Sequence, residues 1–150
     1  MSHQQRVSVH DVDRAGYQAV LALEKHVRDS GLDHRLYELV KIRASQLNGC
    51  AFCLDMHNRD ARTAGEDQRR LDVLSAWREA PMLFSDRERA ALAFTEAVTR
   101  IGDVGVPDPV WADVVESFGE RDAVHLLLAV AVINVWNRFS VATRQALPDR

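Results

Sequence analysis

Two cysteines occur in this 150-residue chain, spaced as Cys50-Ala51-Phe52-Cys53, and His57 follows four residues later. On a helix turning about 100° per residue, Cys53 lies roughly 60° round from Cys50 and one turn along. His57 lies only about 40° from Cys53 and one turn further, so those two side chains are placed to meet. Cys50 and His57 are two turns apart, about 10 Å, and do not touch directly. Asn48-Gly49 puts Cys50 at a helix start, where unpaired N–H groups and the helix dipole favour a thiolate. A nearby His57 favours one on Cys53 instead. An ordinary cysteine, with pKa about 8.5, is a few per cent thiolate at neutral pH; a drop of about two units, ~2.7 kcal/mol, makes it mostly thiolate. Either influence suffices, so spacing leaves open which sulfur is the nucleophile. Sulfurs at i and i+3 of a helix start also lie close to bridging distance, which a dithiol–disulfide cycle requires.

Other uses of the pair are weaker. A zinc site built on the cysteines needs two further ligands. His57 is available as a third and His3, His10, His26, His34 or His125 as a fourth, but none shows ligand spacing. A thioredoxin-type site needs a βαβ frame, which this sequence lacks. Two inert buried thiols are the bland alternative. The expectation from spacing is a redox dithiol rather than a metal site.

The elements that must position these residues read as helices throughout. Apolar residues at helical spacing run from Val12 to about Arg28, and Gly31 ends that segment. Asp33 caps a second helix to about Leu47, which Asn48-Gly49 breaks. A third runs from Cys50 to about Ala64, with Gly65 suited to the left-handed position after a helix. Gln68 to Trp77 reads as a short fourth helix before Pro81. Ser85 and Glu88 form a capping box opening a fifth through about Arg100. Asp108-Pro109 reads as an N-cap with proline at the first helical position of a sixth, reaching Phe118. Gly119 separates it from a last helix over roughly Glu120 to Leu147. The expected fold is all-α, a compact bundle of six to seven helices in one domain spanning residues 1–150.

Composition agrees with a globular chain: 47% of residues are hydrophobic and 27% charged. A net charge of −3 gives no basic surface for nucleic acid or anionic membrane. The polar start, Met1 to His10, lacks a signal-peptide core, and the apolar run Ala123 to Trp136 is too short to span a bilayer. These features predict a cytoplasmic protein, with that run as a core helix. It is apolar almost all round, so part of its cover is expected from a second copy of the chain. His125 reads as a satisfied core or interface histidine, Asn134 and Asn137 as hydrogen-bonding across helices or subunits, and Trp77, Trp111 and Trp136 as packing anchors.

The stretch Ile42 to His57, with Asn48-Gly49-Cys50-Ala51-Phe52-Cys53-Leu54-Asp55-Met56-His57 at its end, resembles the core of the carboxymuconolactone decarboxylase superfamily, in its alkylhydroperoxidase D (AhpD)-like branch. That branch has the pattern E-x₁₁-C-x-x-C-x-x-x-H, which Glu38, Cys50, Cys53 and His57 fit. The similarity covers about Leu36 to Ile101, and the closing segment Asn134-Val135-Trp136-Asn137-Arg138 is similar to small single-domain members. The resemblance implies an all-helical fold assembling into homo-oligomers, trimers or multiples of them, and thiol-dependent peroxidase or disulfide-reductase activity. It implies Glu38 as base, His57 as relay, Cys53 as the peroxide-attacking thiolate and Cys50 as the resolving thiol. The partners it implies are a hydroperoxide or disulfide substrate and an external dithiol donor, with no metal or organic cofactor required. One departure stands out. The peroxidase branch carries a histidine immediately before its second cysteine, where this chain has Phe52, so modest turnover is expected.

Periodicity by itself sets Glu38 nearly opposite the apolar stripe of Leu36, Leu39, Val40 and Leu47, where it reads as solvent-facing. Two other functions fit the dithiol less closely. A lactone decarboxylase needs no redox thiols, and a redox sensor would use the same thiols without turnover.

Overall fold

The computed structural model describes residues 3–149; Met1 and Ser2 of the polar start lie outside the described residues. These contain seven α-helices, two short 3-10 segments and no strand. The helices are α1 (Val9–Val12), α2 (Arg14–Arg28), α3 (His34–Asn48), α4 (Ala51–Thr63), α5 (Gln68–Val73), α6 (Asp86–Thr99) and α7 (Asp108–Thr143).

Helix α3 is the axis. It packs against α4, α6 and α7, and every residue from Leu36 to Ile42 is buried. One apolar cluster joins Leu36 and Val40 to Phe94 of α6 and to Val114, Leu126 and Val130 of α7. A second, on the other side, joins Leu39 and Ile42 to Leu71, Leu74, Trp77, Phe84 and Leu92. Helix α2 closes a third side, with Val27 against Tyr37 and Ala129. Fully buried side chains such as Leu39 and Ile42 contribute about 2 kcal/mol each from apolar burial.

The predicted boundaries hold where local chemistry decides them. Ser85 and Glu88 form the capping box, and Gly31, Gly49, Gly65 and Gly119 all have positive φ. Gly119 (φ 75°, ψ 163°) turns α7 so that its first half meets α6 and its second half lies along the core. Four expectations need correction. Asp13 splits the first helix, because its side chain accepts from the Gly16 N–H and starts α2 afresh. The fourth helix is α5 followed by a 3-10 segment, Leu74–Glu79, since Ala76 leaves helical geometry and Trp77 is drawn down onto Glu96. The N-cap of α7 is Pro107 rather than Asp108, which sits in the first turn. The last helix stops at Thr143, where Arg144 turns left-handed, short of Leu147.

Candidate active site

Gly49 fixes the position of Cys50. It adopts φ 63°, a left-handed geometry that glycine takes without steric cost. Its N–H donates to Gln46 O (3.3 Å) and the Cys50 N–H to Ser45 O (3.0 Å), the paired bonds of a Schellman motif. The chain therefore leaves α3 and enters α4 across two residues, Gly49 and Cys50, and Cys50 becomes the N-cap of α4. Its sulfur accepts from the Cys53 N–H at 3.4 Å.

The two sulfurs lie 2.7 Å apart as free thiols, both buried. The hydrogen bond between the sulfurs, helped by the Cys53 backbone N–H and opposed by burial, lowers the Cys50 pKa to about 6. The same bond, together with burial, pushes the Cys53 thiol up. Within the pair these opposite shifts favour the thiolate on Cys50. Ser140 Oγ of α7 stands 3.9 Å from Cys53 Sγ.

His57 does not hydrogen-bond to Cys53, as the helical spacing had suggested. Its ring turns to α3, where Nδ1 pairs with Glu38 Oε2 at 2.8 Å. Both side chains are buried, at 7% and 5% exposure. Glu38 is the larger surprise for a periodicity argument. Its side of α3 is covered too, so a position opposite the main apolar stripe still faces the interior.

Behind the cysteines, polar side chains lock α3 to α7. Asn48 Nδ2 donates to Asn134 Oδ1 (3.0 Å) and Asn137 Oδ1 (2.8 Å). Asn137 Nδ2 donates to Ser45 Oγ at 2.9 Å, and Ser45 Oγ to Lys41 O at 2.7 Å. Asn134 and Asn137 therefore bond across helices, as their sequence context indicated.

Cys53, His57 and Glu38 line one cavity of about 820 Å³, whose apolar wall includes Leu21, Phe52, Met56 and Phe139; Cys50 does not line it. Its far side holds a polar group that the sequence did not announce. Glu24 accepts from Tyr37 and Lys41, and Trp136 Nε1 donates to its other oxygen at 3.0 Å. Burial opposes ionisation of Glu24, but Lys41 and the other donors outweigh it and hold the carboxyl below its usual range. The only available signal was Glu24 in register with Val20 and Val27, a charge on an apolar helix stripe. Trp136 is thus a cavity wall as well as an anchor. His125 meets Asp122 at 3.3 Å and the edge of His26. Among the described residues no second ligand set approaches the cysteines; the donor group with metal-like spacing is Glu38, His57 and Asp60.

Comparison with known proteins gives the family and the fold. The family model described as "Carboxymuconolactone decarboxylase family" matches residues 14–97, beginning at α2, one helix before the resemblance over Leu36 to Ile101. The Bacillus subtilis (strain 168) protein YdfG is 42% identical over 138 residues, covering 92% of this chain and 93% of that one. The crystal structure of ATU0492 from Agrobacterium tumefaciens, a protein of unknown function named for AhpD antioxidant defence, superposes with a TM-score of 0.93 at 37% identity. That match covers 98% of this chain and all of the other. A peroxidase-related protein from Silicibacter sp. TM1040 shares the fold alone, with a TM-score of 0.74 at 24% identity over 84% of this chain and 66% of that one.

Proposed function

The chain belongs to the carboxymuconolactone decarboxylase family, in its AhpD-like branch, and from that premise we propose that it is a thiol-dependent peroxidase or disulfide reductase cycling Cys50 and Cys53. The observation that carries this reading is the pair of sulfurs 2.7 Å apart, one of them on the wall of a cavity that also holds the Glu38–His57 pair.

In this scheme Cys53 attacks, because it faces the cavity and Cys50 does not. Its proton passes to the Cys50 thiolate along the bond they already share. The Cys53 thiolate then takes the outer oxygen of a hydroperoxide, the O–O bond breaks, and the leaving alkoxide takes a proton to become an alcohol. Cys53 is now a sulfenic acid. The second ring nitrogen of His57, a residue of the cavity wall, serves as the proton carrier, with Glu38 fixing the tautomer through Nδ1. Cys50 then displaces hydroxide from Cys53; its own proton leaves with it as water, and a disulfide forms. An external dithiol reduces that disulfide by exchange and leaves oxidised itself. No flavin or haem enters the cycle. Phe52 places a ring where the peroxidase branch has a further histidine, so proton delivery rests on His57 alone and turnover is modest.

We propose in addition that a second copy of the chain covers the outer face of α7, where Trp111, Val124 and Val141 are 40%, 46% and 50% exposed. The direct test of the dithiol is a thiol count under denaturing conditions. Peroxide should remove two thiols per chain and dithiothreitol restore both. An unchanged count would rule out every redox version of this function.

A further inference from the structure

We propose that Glu38, His57 and Asp60 form a binding site for a divalent cation of the zinc class, set in the wall of the dithiol cavity. One donor atom from each residue lies within 4.8 Å of the other two. Ligands bound at about 2.0–2.2 Å in tetrahedral geometry stand roughly 3.4 Å apart. Glu38 and His57 approach at 2.8 Å through a hydrogen bond whose proton the cation would replace, and the side chain of Asp60, 44% exposed, is free to close the remainder by changing rotamer.

Three further features favour a cation there. The side chains of Glu38 and His57 are more than nine-tenths buried, and both line the cavity. Beyond the Nδ1–Oε2 bond neither side chain makes a further hydrogen bond within the protein, so the pair is not tied into a wider network. The trio also brings two carboxyl groups and one imidazole together, a mixed oxygen and nitrogen donor set that a single divalent ion suits. Of the nearby cations, Lys41 pairs directly with Glu24 and acts on Glu38 only through space, and Arg59 reaches Asp60 only at 3.5 Å with both side chains about half exposed. His57 and Asp60 stand one turn apart on α4 and Glu38 comes from α3, so two packed helices preset the distances. A donor set of one nitrogen and two oxygens with a position left for water suits zinc, and it is separate from the sulfurs.

One consequence rests on the proposed dithiol cycle. A cation on Glu38 and His57 occupies the groups that carry the proton, so micromolar zinc should inhibit peroxide turnover. The binding itself does not depend on that cycle, which keeps the two claims separable.

The test uses the full reduced chain and zinc in competition with a chromophoric chelator. One zinc per chain is expected, with affinity lowered at least tenfold in Asp60→Asn and retained in the Cys50→Ser/Cys53→Ser double variant. Circular dichroism confirms that each variant is folded. Cobalt substitution should give visible d–d bands without a sulfur-to-cobalt charge-transfer band. Where turnover is measurable, the inhibitory zinc concentration should rise at least tenfold in Asp60→Asn relative to that variant's own uninhibited rate. Loss of binding in the double cysteine variant with full affinity in Asp60→Asn would assign the metal to the thiols and overturn the proposal. Failure of the wild-type chain to hold zinc at micromolar concentration would overturn it as well. Zinc binding in a protein that shows no peroxide turnover would support this site and contradict only the dithiol cycle.

Discussion

Cys50 and Cys53 have the same chemistry and different surroundings, and the proposed division of roles rests on that difference. Cys50 sits at a helix start and bonds with the Cys53 sulfur and N–H, which lowers its pKa to about 6 and favours its thiolate at neutral pH. Cys53, whose thiol is pushed up, faces the cavity. The sign for titration follows: the thiolate is present above pH 6 and lost as pH falls through it. Absorbance of the reduced chain near 240 nm should therefore show one thiolate titrating with a midpoint near 6. Cys53→Ala, which removes the bond between the sulfurs, should move that midpoint upward. A wild-type midpoint near the ordinary 8.5 would show that this bond does not stabilise the Cys50 thiolate. The cysteine spacing and the helix start were legible in the sequence because both are local. The orientation of His57 was not, since its partner, Glu38, lies 19 residues away on another helix.

The junction between α3 and α4 is the element on which this chemistry depends. Gly49 is left-handed with nothing within 4 Å of where a Cβ would stand, so its substitution costs backbone strain and no clash. Gly49→Ala should lower stability by about 1 kcal/mol in urea titration. Asn137→Ala should cost about 1–3 kcal/mol, because it strips partners from Asn48 and Ser45 in a buried network. Costs near zero for both would mean that the junction is not held as described. Glycine turns and the capping box could be read directly, as Gly49, Gly119 and Ser85 illustrate, since each rests on a few neighbouring residues. Glu38 could not be read from periodicity, which assumes a helix with one wet face, and α3 has none. The tightening after Val73 was equally hidden, because it answers to Trp77 bonding to Glu96 in α6.

At the scale of the whole molecule, α7 supplies both the spine of the core and an apolar outer face. Its second half buries Leu126, Val130 and Ile133, yet leaves Val124 and Val141 about half exposed. Light scattering after gel filtration should give a mass of two or more chains, trimers or their multiples being expected from the family. Val124→Asp combined with Val141→Asp should shift it toward one chain. A wild-type monomer at micromolar concentration would refute the covered face. The central claim is that the molecule works as a dithiol enzyme, and steady-state consumption of an organic hydroperoxide with a dithiol donor tests it most directly. Cys53→Ser should fall to background, and Cys50→Ser should stop after a single oxidation. His57→Ala should retain the dithiol but lose about 10²-fold or more in rate. A wild-type rate indistinguishable from all three variants would contradict the account.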